Sequence, residues 1–135
     1  MKLGLSMVTL GVIDLKASIR FYHEGLGLPM LESPPGAALM RLNGKWIELS
    51  SLSNIAQEAG MKPECPGYSG INLTYTVSSE QKVIEILDRA REAGGNLIKK
   101  AHKAKWGGCH GYFMDLDKHL WEVVYNPLNW LGGKD

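Results

Sequence analysis

The chain has 135 residues, of which 44% are hydrophobic and 21% charged, and its formal net charge is +1. This length suits one compact domain or two small units, and the composition is that of a globular protein rather than a disordered or membrane protein. The balanced charge provides no general attraction to nucleic acid or to an acidic membrane surface. Two cysteines, Cys65 and Cys109, are too few for a disulfide framework, so we expect a reducing, cytoplasmic location.

The first half predicts a strand, a helix and further strands. Residues 5–13 form an apolar run that Asp14 interrupts well short of a membrane-spanning length, so we interpret them as a strand that ends at a helix N-cap. Residues 15–24 have apolar side chains at helical spacing, and Gly25 is placed to end the helix in a left-handed cap. Two apolar runs then flank Asn43-Gly44, the sequence typical of a tight hairpin.

The second half predicts the same order of elements. Residues 71–77 alternate as a strand does, and Ser78 with Gln81 suggests a capping box that opens a helix over residues 79–93. Gly94-Gly95 ends that helix, and a short strand follows near residues 96–99. Strands are then predicted over residues 111–114 and 119–126, with a turn between them.

The two halves are an internal repeat. Residues 43–49 resemble residues 117–123, because each segment is a turn followed by a strand with one tryptophan and one glutamate. The sequence therefore predicts an α+β fold of two tandem βαβββ modules, with curved mixed sheets around a shared cleft. The first module covers residues 1–60, the second residues 66–128, and residues 129–135 are a C-terminal tail; the modules together form one compact domain.

Glu48 and Glu122 are the main candidates for chemistry. Each lies in a mainly apolar strand, where an isolated charge is costly, and the repeat gives them equivalent places. We expect them to meet across the cleft, where two carboxylates bind a cation or share a proton. The alternative is that each points to solvent or pairs with a lysine.

The histidines match no familiar zinc spacing. His119 and Glu122 are three residues apart on a strand and so point to opposite faces. The neighbours Cys109 and His110 diverge in the same way if they lie on a strand, whereas a loop could bring them together as a thiol–imidazole pair. We expect structural roles for His102 and His119 and a position in the pocket lining for His110. The glycine-rich residues 106–111 precede a strand rather than a helix, which argues against a phosphate loop and favours close backbone approach.

A basic run precedes that glycine-rich segment. It consists of Lys99, Lys100, Lys103 and Lys105. Our first interpretation is a solvated hairpin; the alternative is that the run steers an anionic ligand.

The start and end of the chain resemble the vicinal-oxygen-chelate (VOC) superfamily of glyoxalase, bleomycin-resistance and dioxygenase proteins. The resemblance is carried by residues 7–15, 18–22 and 26–29, and by residues 106–108, 111–115 and 119–127. It implies paired βαβββ modules, often in a homodimer. In metal-using members four ligands come from the first and last strands of each module, which here are Met7, Glu48, Gly70 and Glu122.

Two of those four positions depart from the family pattern. Met7 offers a thioether and Gly70 no side chain, where such enzymes commonly have histidine or glutamine. The resemblance therefore implies an incomplete metal site at Glu48 and Glu122, no cofactor or only a weakly held divalent metal, and no classical glyoxalase I activity.

Two functions remain open. The first is a metal-independent binding protein for a small molecule in the cleft, with no nucleic-acid or membrane partner. The second is an enzyme, a lyase, isomerase or epimerase acting beside a carbonyl, with Glu48 or Glu122 as general base. The residues expected to contact the ligand are Met7, Thr9, Trp46, Asn72, Trp106, His110 and Tyr112.

Overall fold

The computed structural model describes residues 5–33, 35–63 and 69–127. The chain divides into two compact units, Met1–Glu64 (unit 1) and Cys65–Asp135 (unit 2). Cys65 and the predicted C-terminal tail at residues 129–135 lie outside the described residues. Among the described residues, no helix is long and apolar enough to cross a membrane.

Unit 1 is a four-stranded mixed sheet with two helices. Its elements are β1 (Met7–Val12), α1 (Leu15–Ile19) continued by a π-helical turn (Arg20–Gly25), β2 (Met30–Leu31), β3 (Ala37–Leu42), β4 (Lys45–Ser51) and α2 (Leu52–Ala59). The strand order is β1-β4-β3-β2, with β1 parallel to β4 and the other pairs antiparallel.

Local sequence signals set the limits of several elements in unit 1. The Asp14 carboxylate accepts a hydrogen bond from the Ala17 backbone N–H at 3.1 Å, which confirms the predicted N-cap of α1. Asn43 and Gly44 have φ of 50° and 78°, as the predicted tight hairpin requires. The left-handed residue after the first helix is Gly27, with φ of 79°, and not Gly25, because the π-helical turn extends the helix through Gly25.

Unit 2 repeats this topology. Its elements are β5 (Asn72–Thr76), α3 (Glu80–Glu92), β6 (Asn96–Lys103), β7 (Cys109–Met114) and β8 (Leu120–Tyr125). The strand order is β5-β8-β7-β6, with β5 parallel to β8 and the other pairs antiparallel. The predicted α+β fold of two tandem modules is confirmed.

Two details of unit 2 differ from the prediction. Ser79, and not Ser78, caps α3, because the Ser79 hydroxyl accepts a hydrogen bond from the Lys82 backbone N–H at 3.1 Å. Strand β6 is longer than predicted and continues to Lys103, so Lys100 and Lys103 of the basic run also lie on this strand. Lys103 pairs with Glu80 at 3.8 Å, and both side chains are exposed.

Each unit has its core on one face of its sheet. In unit 1, Ile47 and Leu49 of β4 are buried, whereas Trp46 and Glu48 point to the other face. In unit 2, Phe113 and Trp121 are paired across β7 and β8, and their rings stack at 6.0 Å on the side of α3. The strands thus present their remaining side chains on the face opposite α1 in unit 1 and opposite α3 in unit 2.

Candidate functional site

A cluster of polar side chains occupies the face of the unit 2 sheet opposite α3. We call it the polar face, and it consists of Asn72, Thr74, His102, His110, Tyr112 and Glu122. Strand alternation places it there, because the intervening residues Cys109, Gly111 and Phe113 of β7 are buried on the other side.

Glu122 is the centre of this cluster. Its Oε1 accepts a hydrogen bond from the Thr74 hydroxyl at 3.2 Å. Its Oε2 lies 2.9 Å from Nδ1 of His110 and accepts a hydrogen bond from the Tyr112 hydroxyl at 3.3 Å. The side chains of His110 and Glu122 are only 16% and 19% exposed. A mostly buried carboxylate requires such donors, since hydrogen bonds offset the cost of removing its charge from water.

The geometry fixes the proton on the neutral His110 ring. A carboxylate oxygen is an acceptor, so the Nδ1 atom beside Glu122 carries the hydrogen. The other ring nitrogen, Nε2, then has a free lone pair. His110 therefore presents a base or a ligand atom on the polar face.

Aromatic rings surround His110. The ring centroid of His102 lies 4.5 Å from that of His110, that of Tyr112 5.5 Å and that of Trp106 5.8 Å. Trp106 is 46% exposed. The structure thus places three of the residues expected to contact the ligand, Trp106, His110 and Tyr112, beside one another, and it adds His102, which was expected to be structural.

Unit 1 has a simpler counterpart. The Thr9 hydroxyl donates to Oε1 of Glu48 at 3.1 Å, and β1 aligns Thr9 with Glu48 just as β5 aligns Thr74 with Glu122. Trp46 shares this face, and the guanidinium of Arg41 lies 5.2 Å from its ring centroid, a cation–π contact. The predicted proximity of Glu48 to Glu122 stays a prediction.

The strand registers revise one predicted position. Met7 lies two residues before Thr9, and the residue two before Thr74 is Asn72. Gly70 precedes β5 and has φ of 84°, so it belongs to the bend that leads into the strand. Asn72, and not Gly70, is therefore the equivalent of Met7.

The residues at the four ligand positions do not fit a tightly held divalent ion. Met7 offers only a thioether, a soft donor. The Asn72 amide donates to the Thr74 hydroxyl at 3.3 Å, and both Glu122 oxygens already accept hydrogen bonds. Within residues 5–33, 35–63 and 69–127, no group of three or more histidine, cysteine, aspartate or glutamate side chains is arranged to hold a metal ion.

The remaining sequence candidates have structural roles. His119 Nδ1 lies 2.6 Å from Oδ2 of Asp115 in the turn before β8. Burial opposes protonation of His119, but the hydrogen bond and the charge of Asp115 outweigh it, so the pKa of His119 lies above its ordinary value. Cys109 faces the core, and burial raises the pKa of its thiol. The Cys109 thiol and the His110 imidazole thus diverge, as predicted.

Comparison with known proteins agrees with this architecture. Residues 4–123 match the model of the Glyoxalase/Bleomycin resistance protein/Dioxygenase superfamily. The chain belongs to this superfamily. It is 30% identical to the glutathione transferase FosA of Serratia marcescens over 93% of this chain and 82% of that protein.

Solved structures of the superfamily have the same fold. A glyoxalase-related enzyme from Fulvimarina pelagi has a TM-score of 0.84 and 31% identity, covering 92% of this chain and 88% of that one. The fosfomycin resistance protein FosX of Listeria monocytogenes has a TM-score of 0.73 and 23% identity, covering 95% and 97% of the two chains. The protein is thus a glyoxalase-like member of the VOC superfamily.

Proposed function

We propose that this protein binds a small molecule on the polar face of unit 2, without the full metal site of its family. The observation that carries this proposal is the convergence of Thr74, His110 and Tyr112 on the Glu122 carboxylate. A few fixed polar groups beside aromatic rings are what a small-molecule site needs to orient its ligand. Trp106, whose ring centroid lies 5.8 Å from that of His110, is exposed and supplies apolar surface.

The donor chemistry supports binding without a metal. Both oxygens of Glu122 are engaged by donors of its own unit, so a metal would have to displace hydrogen bonds that already offset its charge. The thioether of Met7 adds little affinity for hard or borderline ions. We therefore propose that the protein is not a classical glyoxalase I.

The proposal is tested on protein freed of metal with EDTA. A thermal-shift screen of planar aromatic, cationic and anionic compounds identifies a ligand, whose affinity is then measured by calorimetry. We expect Tyr112→Phe and Trp106→Ala each to weaken binding, by about tenfold for the loss of one hydrogen bond or aromatic contact. Glu92→Gln, on the exposed side of α3, is the control and leaves the affinity unchanged. Unaltered affinity in both site variants would contradict the proposal.

A second candidate is an enzyme that acts beside a carbonyl, and one observation favours Glu48 over Glu122 as its base. Within the described residues, the Thr9 hydroxyl provides the one hydrogen bond to the Glu48 carboxylate, whereas three side chains hold Glu122. A less engaged carboxylate is freer to accept a proton from a carbon next to a carbonyl.

Proton exchange distinguishes the two candidates. A panel of α-hydroxyketones is incubated with the protein in deuterated water, and deuterium incorporation is followed by NMR. An enzyme with Glu48 as base exchanges the proton, Glu48→Gln abolishes the exchange, and Glu122→Gln retains part of it. If the wild type shows no exchange, the proposed enzyme function is contradicted and the binding function remains.

The family resemblance also leads us to propose a cytoplasmic homodimer. Sedimentation velocity of the full chain tests the dimer, which predicts a species of twice the chain mass. A single species of one chain mass over the micromolar range would contradict it.

A further inference from the structure

A bulge in β6 sets His102 beside His110. In the antiparallel pair of β6 with β7, Lys99 is aligned with Tyr112 and His102 with His110, so three steps along β6 match two along β7. An unbroken ladder from Lys99 would align His102 with Cys109 and turn it toward α3. The extra residue moves the His102 side chain to the polar face, which is how bulges re-aim side chains near functional sites.

Both rings have the same hydrogen-bond arrangement. His102 Nδ1 lies 3.1 Å from the Lys100 carbonyl oxygen, and His110 Nδ1 lies 2.9 Å from Oε2 of Glu122. Each Nδ1 therefore carries the hydrogen, and each Nε2 has its lone pair. No hydrogen bond among the described residues involves either Nε2 atom.

This arrangement is the one that metal-binding histidines show. A ligating histidine donates its other ring N–H to a carbonyl or a carboxylate, which fixes the tautomer and makes the ring a better ligand. Two imidazole nitrogens bound to one zinc ion at about 2.0–2.1 Å lie roughly 3.3 Å apart. Rings with centroids 4.5 Å apart can supply that separation.

We propose that His102 and His110 form a two-histidine site for a borderline transition-metal ion, such as nickel, copper or zinc, on the polar face of unit 2. Water or a small oxygen ligand completes the coordination, and Glu122 orients His110 without ligating the ion. This site differs from the ligand positions that the family resemblance implies, because it needs neither Met7 nor Glu48. It goes beyond the proposed ligand binding, which requires no metal.

The test is calorimetric titration of EDTA-treated, dialysed full-length protein with nickel and with zinc. The wild type is expected to bind one ion per chain in the micromolar range. His102→Gln and His110→Gln are each expected to weaken binding at least about tenfold, and Glu122→Gln to weaken it by about 10-fold or more through the loss of the hydrogen bond that orients His110. Circular dichroism confirms that each variant is folded.

Two control variants show whether the ion binds at His102 and His110 or elsewhere on the protein. His23→Gln removes a histidine whose Nδ1 bonds to the Leu28 carbonyl oxygen at 2.7 Å, and it leaves the affinity unchanged. Glu48→Gln also leaves the metal affinity unchanged, because the Glu48 carboxylate belongs to the ligand positions that the family resemblance implies and not to the two-histidine site. The electron paramagnetic resonance spectrum of the copper complex shows coupling to two imidazole nitrogens, and to one in either histidine variant.

The proposal is overturned if the wild type binds neither ion, or if either histidine variant retains wild-type affinity. Loss of binding in Glu48→Gln would overturn it too, since the ion would then lie at the family positions. The small-molecule affinity is measured on the EDTA-treated protein and does not depend on any of these outcomes. The metal-site proposal and the ligand-binding proposal can therefore fail separately.

Discussion

Nδ1 of His110 lies 2.9 Å from Oε2 of Glu122, and this hydrogen bond joins β7 to β8 on the polar face. It assigns the two residues different roles. The carboxylate holds the ring and fixes its tautomer, and the ring presents Nε2 to whatever binds there. In the two-histidine site that we propose, a glutamate that the family resemblance makes a metal ligand is therefore a positioning residue for a histidine.

The two equivalent glutamates should contribute unequally to stability. Glu122→Ala removes the carboxylate that accepts hydrogen bonds from Thr74, His110 and Tyr112, and it should lower the free energy of unfolding by about 1–3 kcal/mol. Glu48→Ala removes the acceptor of Thr9 alone and should cost less than about 1 kcal/mol. Urea unfolding of both variants measures the difference. Equal shifts of the two midpoints would contradict the central position of Glu122.

The pair of His119 and Asp115 should make stability depend on pH. The pKa of His119 in the folded protein is raised above its ordinary value of 6.5, so the folded state binds this proton more tightly than the unfolded chain. The stabilisation is complete below pH 6.5 and is lost as pH rises through the raised pKa. Urea midpoints of the wild type and of His119→Asn, measured across this range, should converge as pH rises. A constant difference between the two proteins would contradict the assignment.

Gly111→Ala should destabilise unit 2 by about 1–3 kcal/mol. A Cβ at this position would lie 2.5 Å from Cδ1 of Leu87 in α3 and 2.8 Å from the carbonyl oxygen of Lys99 in β6. The side chain of Leu87 can turn away, but the backbone of β6 cannot do so without breaking its ladder with β7. Thermal unfolding measures the loss. A melting temperature equal to that of the wild type would show that α3 and β6 are less closely packed on β7 than the structure indicates.

The Cys109 thiol should react slowly. It is 5% exposed, and burial, followed by the charge of Glu80, raises its pKa and reduces the reactive thiolate. In a Cys65→Ser variant, which leaves one thiol, Ellman's reagent should react far more slowly with the folded protein than in urea. Equal rates in the two conditions would contradict the burial of Cys109.

The sequence predicted most of the fold because its local signals agree with its repeat. Asp14 caps α1, Asn43-Gly44 makes the hairpin, and the matched glutamates lie at equivalent register positions of β4 and β8. Helix α2 was not predicted, although the Ser51 hydroxyl accepts from the Asn54 backbone N–H and Gly60 ends the helix with φ of 70°. Only eight residues separate those two signals, so its apolar stripe is too short to stand out.

The candidate site could be predicted only in part. The hairpin of β7 and β8 places His110 and Glu122 on one face, and its register, once fixed from the turn at residues 115–118, is enough to find the pair. The pairing of His102 with His110 could not be predicted in this way. It depends on the β6 bulge, which no glycine or proline marks within residues 99–102. The choice of Gly70 as the equivalent of Met7 has a related explanation. Only the strand register shows that Asn72 holds that position.

The central claim is that the protein binds its small molecule without a metal at the family positions. The most direct measurement is the calorimetric affinity for the compound found in the thermal-shift screen, with excess EDTA and with added manganese, an ion that prefers the oxygen ligands of the family positions to a two-histidine site. We predict the same affinity in both conditions and a weaker one in Tyr112→Phe. Binding that disappears in EDTA and returns with an added ion only while both Glu48 and Glu122 are intact would contradict the claim.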